Sequence, residues 1–279
     1  MRKDRYLGIR NWIMMLRVFG VAVFLFLKMS NVVAQEYQLI QTIKTEARYF
    51  STDKLQNIYL TSPQNEVVKY DKTGQAIFRY NNNRLGYLTL IDANNPFKIG
   101  LFYPELGNLI FLDRTMTQTG NFRLFDYNFI QIDAIALAAD NNIWLYDKLN
   151  FVLKKINQRG ELVFESGDLS LTLAKPLSPN FLVEREQQIY LNDPEVGILV
   201  FDWFGQYEKT LEFKGLHRFQ ILDGRLIFFQ DGKLQAFNLQ SLLMQDVKLP
   251  EGVGEDAEVL VQKNRLYVLE NGQLEVFGF

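Results

Sequence analysis

Asn57-Ile58-Tyr59-Leu60-Thr61-Ser62-Pro63-Gln64-Asn65-Glu66-Val67-Val68-Lys69-Tyr70-Asp71-Lys72-Thr73-Gly74-Gln75 holds two short apolar runs joined by one polar turn and closed by another. Each run is long enough for a strand and too short for a helix, and the bounding Pro, Asn, Asp and Gly residues are turn formers. The stretch therefore reads as a β-hairpin. Its first strand is a bulky triplet behind a polar residue or Gly, and the pattern returns at Leu101-Phe102-Tyr103, Ile143-Trp144-Leu145, Ile189-Tyr190-Leu191, Leu226-Ile227-Phe228 and Leu266-Tyr267-Val268. Middle residues of successive triplets lie 43, 42, 46, 37 and 40 positions apart. The second strand keeps its own frame, an apolar residue four before a turn residue and a bulky one just before it. Val67/Tyr70/Asp71, Leu109/Leu112/Asp113, Leu153/Ile156/Asn157, Ile198/Phe201/Asp202, Leu234/Phe237/Asn238 and Leu274/Phe277/Gly278 all fit.

A period of about 40 residues that carries several strands and no helical periodicity predicts a β-propeller, because one four-stranded blade uses roughly that much chain. The expected fold class is all-β, a six-bladed β-propeller of four-stranded blades. Tyr37-Gln38-Leu39-Ile40-Gln41-Thr42-Ile43 reads as a strand with no hairpin of its own, while the last blade has only Glu258 to Val261, Arg265 to Leu269 and Gln273 to Phe277. The first strand is expected to complete the last blade, closing the ring and hiding two edges that would template aggregation. Blades one to five then cover about 46 to 81, 86 to 126, 132 to 167, 179 to 214 and 217 to 249. Ala47 to Phe50 is the expected innermost strand of blade one, and the inner strand of blade two is expected near Leu88 to Ile91. Gly74, Gly160 and Gly205 occupy equivalent turns, where a residue free to take positive φ is wanted.

Residues 1–34 read as a signal peptide and 35–279 as the propeller domain. Arg2, Lys3, Arg5, Arg10 and Arg17 precede an apolar run from Val18 to Leu27, and Val32-Val33-Ala34 offers small residues for cleavage after Ala34. The run is ten residues, against about 20 for a bilayer span, so no stable membrane span is expected after removal. An uncleaved anchor from Trp12 to Leu27 is the alternative, interrupted by Arg17. The expected location is periplasmic or secreted. With no Cys in the chain, disulfides, thiolate metal sites and a lipid-modified Cys are excluded. A large core replaces disulfides in such a protein. Residues 1–34 carry six basic groups and one acid, so their removal leaves 24 basic against 31 acidic groups, a formal charge of −7. That surface repels phosphate backbones and argues against a nucleic-acid partner.

Tyr59 through Gly74, and Leu145-Tyr146-Asp147-Lys148 through Gly160, resemble the NHL-type repeat of six-bladed propellers. The namesake Asn-His-Leu is missing: Asn65 is followed by Glu66, and no blade supplies the His. The resemblance implies architecture alone, since such propellers serve protein-binding, RNA-binding, sugar-binding and hydrolytic roles.

In a propeller the blade-to-blade connections share one face with the turns between second and third strands, around the mouth of the central channel. This loop-bearing face is the expected binding face. Gly167 to Pro179, with Leu171 and Lys175, is its longest connection; Leu169, Leu171, Leu173 and Leu177 either bind a partner or cap the channel. Glu251, Glu255, Asp256 and Glu258 at the start of blade six, with Glu46 and Asp133 at equivalent places, form an acidic rim. A solvated rim is the preferred reading, and Ca²⁺ ligation of the kind implied by resemblance to six-bladed lactonase-like hydrolases is the alternative. His217, the one His, is expected to be a hydrogen-bonded structural residue; no partner His or Cys, nucleophile motif or phosphate loop supports catalysis. Tyr87, Tyr103, Phe129 and Tyr146 could stack on a sugar or fill the space between blades. On the opposite face, Trp203-Phe204 replaces the polar pair Lys72-Thr73 of the equivalent turn. It is either a partner patch or, the preferred of the two, packing against the next blade. No catalytic, cofactor or metal residue is assigned. The expected function is a non-catalytic envelope scaffold that recruits a protein or glycan.

Overall fold

A strand buried on both faces reads as an unbroken apolar run, and the six triplets of this chain are such strands, each sandwiched between neighbouring blades. In the computed structural model, which describes residues 37–173 and 175–279, Ile58, Tyr59 and Leu60 are at most 2% exposed, and Leu266, Tyr267 and Val268 are fully buried. The expected signal peptide, 1–34, lies outside the described residues. Among the described residues the chain forms six four-stranded antiparallel sheets. Blade one is β2 (Tyr49–Thr52), β3 (Ile58–Thr61), β4 (Val67–Tyr70) and β5 (Ala76–Tyr80); blade two is β6 (Leu90–Asn95), β7 (Lys98–Tyr103), β8 (Asn108–Leu112) and β9 (Gln118–Arg123). Blade three is β10 (Ile132–Leu137), β11 (Ile143–Asp147), β12 (Val152–Ile156) and β13 (Leu162–Glu165), and blade four is β14 (Phe181–Arg185), β15 (Gln188–Asp193), β16 (Gly197–Asp202) and β17 (Tyr207–Leu211). Blade five is β18 (Gln220–Leu222), β19 (Arg225–Gln230), β20 (Lys233–Asn238) and β21 (Met244–Val247).

The sixth sheet has the order β1-β24-β23-β22, uniting β1 (Gln38–Lys44) with β22 (Glu258–Gln262), β23 (Arg265–Glu270) and β24 (Gln273–Gly278). The chain is a six-bladed β-propeller closed as its sequence predicts, with Thr42 opposite Glu275 and Ile43 opposite Leu274. A bulge between Leu39 and Gln41 shifts the register, leaving Leu39 and Ile40 both exposed while Ile43 is buried. Two boundaries are corrected. The inner strand of blade one begins at Tyr49 rather than Ala47, because the Ala47 amide is turned onto the Thr45 hydroxyl oxygen. The inner strand of blade two runs Leu90–Asn95, through the Asn pair, and turns only where the Phe97 amide donates to the Asn95 side chain.

The apolar core is six layers, each shared by adjacent blades. One unites Tyr59 and Val67 with Leu101 and Ile110 across blades one and two; another unites Ile43, Phe50 and Ile58 with Tyr267 and Leu274 across blades six and one. The equivalent Gly74, Gly160 and Gly205 have φ of +81°, +75° and +81°. They are also close approaches. A Cβ there would lie 2.1, 2.0 and 2.3 Å from side-chain atoms of Gln41, Tyr127 and Phe164, contributed in each case by the preceding blade.

Candidate functional site at the channel

With the core divided between blades, the six inner strands surround a channel instead of a packed centre. Polar side chains on these strands clasp the backbone of a neighbouring blade. Asp92 Oδ2 accepts from the Leu137 amide at 2.9 Å, and Glu184 accepts from the Ala139 amide at 3.0 Å and from Trp144 Nε1 at 2.6 Å. Gln220 both donates to the Val261 carbonyl at 2.9 Å and accepts from its amide at 2.8 Å. Glu258 Oε2 accepts from the Phe50 amide at 3.3 Å, while its Oε1 pairs with Arg218 Nη1 at 2.9 Å. Burial pushes the Glu258 carboxyl above the usual glutamate range, and Arg218 pulls it back.

Each face of the disc carries a cavity. On the face of the blade-to-blade connections, hereafter the loop face, a cavity of about 660 Å³ is bounded by His217, Arg218, Asp231, Glu255, Asp256 and Glu258. On the opposite turn face a cavity of about 600 Å³ takes lining residues from all six blades, among them Thr52, Asp92, Ala139, Arg185, Leu222 and Gln262. Arg218 borders both and so stands where they meet. Arg185, at the outer end of β14, gives one side-chain hydrogen bond, from Nη1 to the Glu184 carbonyl at 2.8 Å. Burial draws its pKa below the usual arginine value, with Asp92 and Glu184 acting in the opposite direction. Trp203 lines the same cavity at its edge, and Lys155 Nζ lies 5.7 Å from its ring centroid.

The residues singled out in the sequence separate into groups. His217, Glu255 and Asp256 do meet, at the loop-face cavity, and all three are exposed. Among the described residues, no hydrogen bond is made by the His217 side chain, which corrects its reading as a bonded structural histidine; it simply stands at the cavity margin. Asp133 is ion-paired with Lys148 at 2.8 Å beside a smaller, 320 Å³ cavity. Glu46 and Lys175 are exposed and line none of these cavities. Among the described residues, no three or more Asp, Glu or His side chains converge as a cation cage would require.

Tyr103 and Tyr146 are corrections, because both are fully buried and their hydroxyls reach no partner among the described residues. Both faces of a second strand are covered by neighbouring blades, so neither ring can stack on a sugar. Tyr87 is 57% exposed, with the Arg48 guanidinium 5.7 Å from its ring centroid. Within the long connection, Leu169 and Leu177 are buried and Leu173 packs beside them, whereas Leu171, on the short helix α1 (Leu169–Leu173), is 80% exposed. Three of the leucines thus join the core layer between blades three and four rather than the channel mouth, and one is exposed. Trp203 and Phe204, expected to pack against the next blade, are instead 51% and 66% exposed and pack edge to face on each other, centroids 5.7 Å apart. Sequence reasoning passed over Arg185, Glu184 and Arg218. The available signal was polar residues interrupting the apolar inner strands.

No family model matches the chain, and no curated protein is similar to it. Among solved structures, the selenomethionine-substituted virginiamycin B lyase from Staphylococcus aureus superimposes with a TM-score of 0.58 at 10% identity, covering 88% of this chain and all of that one. A streptogramin B lyase gives a TM-score of 0.58 at 13% identity over 88% of this chain and 86% of that one. At such identities the likeness is one of fold, and the resemblance to NHL-type propellers holds at that level.

Proposed function

We propose that this chain is an exported, non-catalytic binding protein of the cell envelope that recruits a protein partner on its loop face. The observation that carries the reading is an arc of exposed apolar side chains. Tyr87, Leu106, Phe125, Ile130, Leu149 and Leu171 stand on successive connections and turns of that face, over blades two and three, and range from 40% to 80% exposed. Scattered apolar residues are ordinary on a surface, but a run of them on adjacent loops has the character of an interaction patch. With Tyr103 and Tyr146 buried, the arc is largely aliphatic, which favours a protein over the sugar-stacking alternative. The disc presents this surface preformed, so docking orders little new chain. Export is supported by the basic residues, apolar run and small-residue cleavage site of residues 1–34. No helix among the described residues is long and apolar enough to cross a membrane.

The test is crosslinked affinity purification of the full chain from its own cells, compared with an Ile130→Asp/Leu149→Asp/Leu171→Asp variant. The variant is expected to keep the wild-type unfolding temperature and to lose the captured partner. Equal capture by both chains would refute the arc as the docking surface. Addition of Ca²⁺ is expected to leave the unfolding temperature unchanged, whereas a rise would point to the hydrolase reading.

A further inference from the structure

We propose that the turn-face cavity is a binding site for a singly charged organic carboxylate with an apolar body, its carboxylate held by Arg185. The argument is a count of donors and acceptors. Each carboxylate lining the cavity already accepts hydrogen bonds: Asp92 from the Leu137 and Asn94 amides, Glu184 from the Ala139 amide and Trp144, and Glu186 from the Gly224 amide. Of the other cations of the lining, Arg218 is paired with Glu258, and Lys54 is exposed at the surface. Arg185 makes no ion pair among the described residues and uses one N–H on its neighbour's carbonyl. A guanidinium offers five N–H groups in a planar fork shaped for two oxygens of one anion. What the cavity lacks is therefore an acceptor.

The surroundings choose among anions. Asp92 and Glu184 act on Arg185 electrostatically, so a doubly charged phosphate is opposed more strongly than a monocarboxylate. The walls are mixed: Leu90, Phe181, Leu222 and Leu260 are partly exposed to the cavity, and Trp203 flanks its edge, so the remainder of the ligand meets apolar surface. The volume of about 600 Å³ is that of an ordinary small-molecule site. The same chemistry is presented by a free organic acid and by the C-terminal carboxylate of a peptide with a bulky last residue. This site lies on the opposite face from the proposed partner arc and does not depend on it.

The test uses the purified full chain and the intrinsic fluorescence change on titration with 1-naphthylacetate, its methyl ester, 1-naphthyl phosphate, and N-acetylphenylalanine with its amide. A saturable change is expected with 1-naphthylacetate or N-acetylphenylalanine, at least about tenfold tighter than with the uncharged counterpart. Naphthyl phosphate is expected to bind more weakly than naphthylacetate. Arg185→Gln should weaken binding of the acid about tenfold or more while leaving the ester unaffected, and Arg185→Lys, which keeps charge without the fork, should fall between. Tighter binding of N-acetylphenylalanine would assign the peptide terminus, and tighter binding of naphthylacetate the free acid. Absence of saturable binding by either acid, equal affinity for acid and ester, or an Arg185→Gln chain that melts normally and binds as well as wild type would overturn the proposal.

Discussion

Ile43 offers the sharpest test of the closure on which both faces depend. It lies on β1, is 7% exposed, and packs with Phe50, Leu60, Tyr267 and Leu274 between blades six and one. Ile43→Ala removes three carbons, which at about 0.8 kcal/mol per buried carbon gives roughly 2.4 kcal/mol in lost transfer energy. The cavity left in a layer that relaxes only partly adds to this, for a total of about 3 kcal/mol, inside the 2–5 kcal/mol range of such truncations. For a domain of this size 1 kcal/mol moves the midpoint by roughly 2–4 °C, so thermal unfolding followed by circular dichroism should fall by about 6–12 °C. Ile40→Ala on the same strand is the control. Ile40 is 49% exposed at the bulge, and its truncation should cost no more than about 0.5 kcal/mol. Equal, small effects at both positions would mean that the strand is not docked, and the ring would lose its closure. A reduced urea m-value for Ile43→Ala would indicate that the strand has come away, while an unchanged m-value would confine the effect to packing.

Gly160→Ala and Gly224→Ala separate backbone strain from close approach. Both positions have positive φ, but only Gly160 faces a neighbouring side chain, Tyr127, whereas nothing stands within 4 Å of a Cβ at Gly224. Denaturant titration should give about 1 kcal/mol for Gly224→Ala from backbone strain alone, and about 2–4 kcal/mol for Gly160→Ala once overpacking is added. Glu184→Gln turns an amide N–H₂ toward one of two N–H donors, Ala139 or Trp144, and should destabilise by about 1–3 kcal/mol. A neutral outcome would mean that the clasp carries no strain-bearing role. For pH, burial raises the Glu258 carboxyl, so the folded chain holds that proton more tightly than the unfolded chain. Its contribution is present below the ordinary glutamate value of about 4.3 and is lost as pH rises through the higher folded value. The difference in stability between wild type and Glu258→Gln, followed by urea titration from pH 4 upward, should move against the wild type across that interval; a flat difference would contradict the assignment.

The architecture was legible because it is repeated. Burial on both faces forces a bulky triplet wherever a second strand stands, and the chain displays that demand six times, so the blade number and the closing strand follow from spacing alone. Single positions were harder to place. Tyr103 and Tyr146 lie at or next to the ends of their strands, as residues that reach solvent do, yet neighbouring blades cover both sides of each. Trp203 and Phe204 have the bulk of packing residues and are nevertheless exposed, because the adjoining Gly205 is the residue that meets the preceding blade, at Phe164.

The channel follows a different logic. A site at the centre of a ring takes one or two residues from each blade, and these lie about 40 positions apart with no shared motif. Asp92, Glu184, Gln220 and Glu258 differ in type because each satisfies a different pattern of amides on its neighbour, so no spacing rule unites them. Their common feature is a polar side chain on an inner strand, where an apolar residue would have packed as well but left a neighbouring blade's amide unpaired. Arg185 stands apart from this set, because its one side-chain hydrogen bond goes to the adjacent Glu184 carbonyl and ties no second blade. In a fold assembled from mutually satisfied repeats, a guanidinium with open N–H groups at the shared centre is where specificity for something outside the chain can arise, since the carboxylates around it are already committed to amides of the ring.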